Sequence, residues 1–142
     1  MGGHGALVSF LRNPGMFRSV SALAPICNPS KCDWGRKAFT GYLGQDQSQW
    51  AEWDATELAA KYKGPQATLL VDQGSSDEFL AKGQLLPDNL VAAVSSNPSL
   101  KMQYSLRGGY DHSYYFIQSF VEEHIKFHAE HLNKKEAERK DK

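Results

Sequence analysis

The sequence predicts an α/β fold with a mainly parallel sheet, and three observations carry that prediction. Strand-length runs at residues 17–24, 67–72 and 101–106, the second of them strongly apolar, each end in a turn-rich or polar cluster. Segments with apolar residues at helical spacing stand between and after these runs. Strict alternation of the two makes right-handed crossovers the expected connection. A sheet of three strands is incomplete, because parallel strands need cover on both faces and the first has no neighbour on its outer side. Residues 1–142 by themselves are therefore expected to expose an apolar edge and to be poorly stable.

Each element has its own signal. Ala6, Leu7, Phe10 and Leu11 recur at helical spacing, and Asn13-Pro14-Gly15 closes this first helix over residues 3–11. The run 17–24, FRSVSALA, is closed by Pro25, and its length favours a buried strand. Residues 28–65 hold Trp34, Trp50 and Trp53 among Gly35, Gly41 and Gly44. A pocket wall and a set of surface helices with buried tryptophans fit that pattern equally well. ATLLVD at 67–72, followed by Gln73-Gly74-Ser75-Ser76-Asp77, reads as a parallel strand and its C-terminal loop. Residues 86–94 form an amphipathic helix, 101–106 a third strand and 107–113 a loop. From Tyr114 onward, Phe116, Ile117, Phe120, Val121, His124, Ile125 and His128 mark a long closing helix. The domain is expected to span 1–132, with NKKEAERKDK at 133–142 a charged, disordered tail.

Composition narrows the function classes. Sixteen basic and sixteen acidic residues give a formal charge of zero, which removes the electrostatic case for nucleic acid or an anionic membrane as partner. No apolar run approaches a membrane span, and the first residues lack the layout of a secretory signal. A cytoplasmic metabolic protein is the expectation. Cys27 and Cys32 have no matching Cys/His pair beside them, so they read as structural thiols in a reducing compartment rather than half a zinc site.

The chemistry begins at the first residue. Met1-Gly2-Gly3-His4-Gly5 reads as the back half of the Gly-x-Ser-x-Gly turn that presents a serine at the top of an α/β-hydrolase sheet. In that reading Met1 follows the serine and donates its backbone N–H to the oxyanion hole. Gly2 is the glycine that lets the helix pack closely, and the serine falls at position zero. The fold is then a partial α/β-hydrolase, its C-terminal strands with flanking helices. Hydrolases of this kind place serine, acid and histidine in that order on loops after strands. Asp77 follows the second predicted strand and His112 the third. Asp111 is a competing carboxylate, but loop neighbours rarely reach orienting geometry, so Asp111 is expected to serve the loop backbone and Asp77 the imidazole, with an exchange of those roles left open. His124 and His128 read as helix-face residues, since no further ligand or HExxH context accompanies their i, i+4 spacing.

The strings MGGHGAL, SVSALAPICNP, WGRKAFTGYLG, DQGSSDEFL, GQLLPDN and GYDHSYYFI together closely resemble S-formylglutathione hydrolase, also called esterase D, over residues 1 to about 132. The resemblance implies a cytoplasmic serine thioesterase and carboxylesterase of formaldehyde catabolism, releasing formate and glutathione from S-formylglutathione. It implies Asp77 as acid, His112 as base and Met1 as an oxyanion-hole residue. It also implies no metal or organic cofactor, activity on small carboxylic esters, and a homodimer when complete. The family's serine has no position in residues 1–142, and loss of a nucleophile from a triad costs on the order of 10⁶ in rate. Residues 1–142 alone are thus expected to be inactive. A non-catalytic short isoform, acting as an interaction fragment through its open edge, is the alternative expectation.

Overall fold

A computed structural model describes the backbone of residues 1–140 and the side chains of residues 1–133. Strands β1 (Val20–Leu23), β2 (Ala67–Gly74) and β3 (Leu100–Arg107) form one parallel sheet in the order β1-β2-β3. Asp72 lies opposite Leu23 on one side and Ser105 on the other, and Gly74 lies opposite Arg107. The helices are α1 (Gly2–Arg12), α2 (Asp33–Leu43), α3 (Ala55–Lys61), α4 (Glu78–Ala81), α5 (Pro87–Ser95) and α6 (Tyr114–Lys140). Short 3-10 turns at Pro29–Lys31 and Gln47–Trp53 flank α2. The tail expected at 133–142 falls, beyond Asn133, outside the residues whose side chains are described.

Side chains alternate across a strand, so each strand has one residue set per face. Val20 and Ala22 of β1, Leu69 and Val71 of β2 and Leu100 of β3 meet Leu7, Phe10 and Leu11 of α1, Ala59 of α3 and Leu90 and Val94 of α5 in one buried core. The opposite face carries Ser21 and Asp72, and α6 covers it: His128 bonds Ser21 and His124 bonds Asp72. This cover is partial. Ile117, Val121, Ile125 and Leu132 of α6 remain 38%, 39%, 62% and 52% exposed, and β1 has no strand on its outer side among the described residues.

Two expectations change in extent, and one short element is added. The first strand starts at Val20 rather than Phe17: its ladder to β2 begins at Val20–Leu69, and Arg18 turns away to donate to the Leu132 carbonyl at 3.0 Å. The second strand runs on to Gly74, because Asp72 and Gln73 find buried polar partners and need not leave the sheet. The four-residue α4 follows it, too short to show periodicity in sequence.

The aromatic-rich segment proves to be both of its alternatives. Trp50 is buried edge-on against Phe39 and donates Nε1–H to the Gly44 carbonyl, and Trp53 lies beneath the Arg12 guanidinium. Trp34 instead lines a cavity with His112. Buried Asp54 holds the segment together, capping α3 through Thr56 N–H while accepting from Asn28 and from both the backbone and hydroxyl of Ser30. Cys27 and Cys32 are both free and buried. Burial pushes the Cys27 thiol up to about 12, and Cys32 Sγ caps α2 by accepting from Gly35 N–H, so both thiols serve packing rather than chemistry.

Candidate active site

The loops after β2 and β3 are laced into one unit before any catalytic geometry arises. Ser75 N–H donates to the Arg107 carbonyl and Ser76 N–H to the Tyr110 carbonyl, each at 2.9 Å. Gly109 N–H returns a bond to Ser75 Oγ at 2.8 Å. Gly74 permits the approach: a Cβ there would lie 2.3 Å from the Tyr110 carbonyl oxygen, a separation no side chain tolerates. Tyr110 in turn stacks on Tyr115 and meets Phe120 edge-on, which pins the loop to the first turns of α6.

Asp77 is buried at the N-cap of α4, where Oδ1 accepts from Phe79 N–H at 2.8 Å and from Leu80 N–H. That leaves Oδ2 to face the neighbouring loop, where His112 Nδ1 lies at 2.6 Å. Burial pushes the Asp77 carboxyl up, but the bonds from His112, Gln73 and the Phe79 amide outweigh it and hold the group below its ordinary value. The His112 side chain is 39% exposed, and Phe79 packs edge-on against its ring at 5.0 Å. With Nδ1 engaged by the carboxylate, Nε2 is the nitrogen left to exchange a proton with a reacting group.

Two cavities meet at this imidazole. One of about 320 Å³ is lined by Leu23, Ala24, Ser113, Tyr114, Phe116 and Ile117 besides His112. A smaller one of about 170 Å³ brings Met1, Ile26, Trp34, Phe79 and Leu85 to the same ring. Ala24 lines both, and its φ of 45° is a left-handed conformation rare for a residue with a side chain. Met1 is the N-cap of α1, so the second cavity opens at a helix N-terminus, where unpaired N–H groups and the macrodipole favour developing negative charge.

The sequence-predicted residues Asp77, His112 and Met1 thus converge on one site. Asp111 does not: it is exposed and among the described residues its side chain bonds neither the imidazole nor the loop backbone expected of it. The close-packing glycine is also displaced by one residue. Gly2 has open space around it, whereas a Cβ on Gly3 would meet Pro25 Cβ at 3.0 Å and the Leu23 carbonyl at 3.2 Å. Gln73 and Phe79 went unassigned in the sequence, whereas Trp34 takes the pocket-wall place that was one of the two readings of its segment. Only α4 left a signal there, an Asp followed by Glu at a helix start. His124 and His128 sit on the inner face of α6: His124 is buried against Asp72, and His128 is bracketed by Ser19 and Ser21. Among the described residues no cluster of three or more His, Cys, Asp or Glu side chains could hold a metal ion, and no helix is long and apolar enough to cross a membrane.

Comparison with known proteins adds family to geometry. The family model described as "Putative esterase" matches residues 1–127. The chain is 59% identical over 133 residues to S-formylglutathione hydrolase of Rattus norvegicus, covering 94% of this chain and 47% of the relative. It is 52% identical to that of Arabidopsis thaliana, covering 93% and 46%. A solved S-formylglutathione hydrolase from Agrobacterium tumefaciens superposes with a TM-score of 0.85 at 42% identity over 92% of this chain and 46% of that one. The chain spans about half the length of the curated relatives it matches, and its sheet and helices correspond to part of an α/β-hydrolase fold.

Proposed function

Because the chain belongs to this esterase family and is homologous to S-formylglutathione hydrolases, we propose that it supplies the acid and base of a cytoplasmic serine thioesterase. The reaction is hydrolysis of S-formylglutathione to formate and glutathione, a step of formaldehyde catabolism, with small carboxylic esters as further substrates. The observation that carries this reading is the 2.6 Å contact of His112 Nδ1 with Asp77 Oδ2 beside two cavities. In the mechanism, His112 Nε2 takes the proton of the serine that precedes Met1 in the family's elbow as that oxygen attacks the thioester carbonyl. Asp77 keeps the proton on Nδ1 and stabilises the imidazolium. The oxyanion is held by Met1 N–H at the start of α1 and by a second donor from an early loop. Collapse expels the glutathione thiolate, which His112 protonates, leaving a formyl-serine. Water, deprotonated by His112, then attacks the formyl-serine, and the imidazolium returns that proton to the serine oxygen as formate leaves. No metal or organic cofactor enters these steps, and the complete protein is proposed to be a homodimer.

The test is to purify the protein from cells that make it, measure its intact mass and follow S-formylglutathione disappearance. A polypeptide near twice the 15.8 kDa of residues 1–142 that turns over the thioester is expected, with residues 1–142 alone at the background rate. A full-length protein that cleaves other esters but leaves S-formylglutathione intact would overturn the substrate assignment.

A second reading rests on the exposed apolar stripe of α6 and the open side of β1. Here residues 1–142 act as an interaction fragment, and the occupant of that face is the serine-bearing first half of an esterase domain, in the same polypeptide or another. Ile125→Glu, at the most exposed stripe position, is expected to weaken association with that half at least about tenfold, roughly one buried apolar side chain. Association unchanged by the charge would place the contact elsewhere.

A further inference from the structure

Asp77 Oδ2 accepts from two side chains, His112 Nδ1 at 2.6 Å and Gln73 Nε2 at 2.9 Å. Gln73 lies in β2, on the face away from α6, and is 1% exposed. Its Nε2 also donates to the Gly74 carbonyl at 3.2 Å. The chemistry fixes the sense of this amide, because turning it over would set a carbonyl oxygen against a carboxylate and a second carbonyl. Burying a glutamine amide at this depth is costly without such bonds, and a methionine would fill the same space more cheaply.

We infer that Gln73 is a positioning residue for the Asp77–His112 pair, an inference that rests on the catalytic reading proposed above. The α4 amides hold Oδ1 from one side and Gln73 holds Oδ2 from the other, so the carboxylate plane cannot rotate away from the imidazole. The Gln73 N–H also draws charge from the oxygen that stabilises the imidazolium, keeping the histidine a proton carrier that gives its proton back. Other charges stand aside: Glu78 pairs with Lys82, and Asp111 is exposed.

Gln73→Met in the full-length protein removes the donor at nearly constant volume, and Gln73→Asn keeps an amide one methylene too short to reach. Both are expected to lower kcat about tenfold with KM within about twofold. Both should also move the acid limb of the pH–rate profile up by about half a pH unit, because a carboxylate with one donor fewer holds the imidazolium more tightly. A packing role alone would lower the melting temperature and leave the acid limb in place, and that result overturns the inference. An NMR titration of the imidazoles in the same samples reports whether a variant is folded and gives the shift without turnover. His112→Ala separates the two levels. If it abolishes activity while the Gln73 variants keep the native kcat and acid limb, the Gln73 role alone falls. If His112→Ala remains active, the catalytic reading falls with it.

Discussion

Asp77→Asn is expected to lower thioester turnover on the order of 10⁴-fold while the protein stays folded. The two halves of that expectation come from the two oxygens. Oδ1 is the N-cap acceptor of α4, and asparagine caps a helix as well as aspartate does, so the cap is kept and the stability cost is confined to the buried Gln73 donor, about 1–3 kcal/mol. Oδ2 is the acceptor for His112 Nδ1 and Gln73 Nε2, and here the substitution removes the charge that stabilises the imidazolium. An Asn amide nitrogen at that place would face Nδ1 as a donor, favouring the tautomer that carries its proton on Nε2, the wrong nitrogen for a base. Kinetics with S-formylglutathione and a melting curve on one preparation check both halves. Near-native turnover in Asp77→Asn, together with a crippled Asp111→Asn, would show that the acid had been misassigned.

How much of this was legible depended on the range of the interactions. Elements stabilised by their own periodicity were readable: the spacing of Ala6, Leu7, Phe10 and Leu11 gave α1 to within a residue or two, and Tyr114 began α6 as expected. The limits of β1 and β2 were not, because they are set by partners distant in sequence. Gln73 looks like the start of a polar loop after ATLLVD, yet it stays in β2, and it and Asp72 face inward on different sides of the sheet. Asp72 is satisfied by Arg107 and His124, which lie 35 and 52 residues on. The meeting of Asp77 with His112 was legible because loop order after parallel strands constrains it, and the place of Met1 because the glycine pattern of the elbow marks it. The hydrogen bond from Gln73 was not, since a glutamine before a glycine-serine loop carries no pattern of its own. The His124 role was hidden for the same reason: spacing shows that it lies on α6, while burial against a strand carboxylate is a tertiary fact.

That carboxylate carries the largest expected effect on stability. Asp72 is fully buried, accepting from Arg107 Nε at 2.6 Å on Oδ1 and from His124 Nε2 at 2.8 Å on Oδ2. Arg107 also pairs with Glu123 and lies over the Phe120 ring at 4.1 Å. One side chain therefore ties the end of β3 and the third turn of α6 to the centre of β2, and the His112 loop is strung between those two anchors. Asp72→Ala would leave a guanidinium and an imidazole facing an empty site, and a loss of about 3–5 kcal/mol is expected in denaturant unfolding. That is a large share of the roughly 5–15 kcal/mol that holds a domain together, the more so for a sheet with an open edge. The same bonds set a pH dependence. Burial pushes the Asp72 carboxyl up, but His124 and Arg107 outweigh it and hold it below its ordinary 3.8. The unfolded chain then binds more protons than the folded one in this range, so the contribution is complete above about pH 5 and is lost as pH falls through the folded value. Unfolding curves of the native chain should thus show lower stability at pH 3 than at pH 7. A penalty below about 1 kcal/mol at pH 7 would mean that water reaches Arg107 and replaces the carboxylate, and that the anchor is the packing of Phe120 rather than the ion pair.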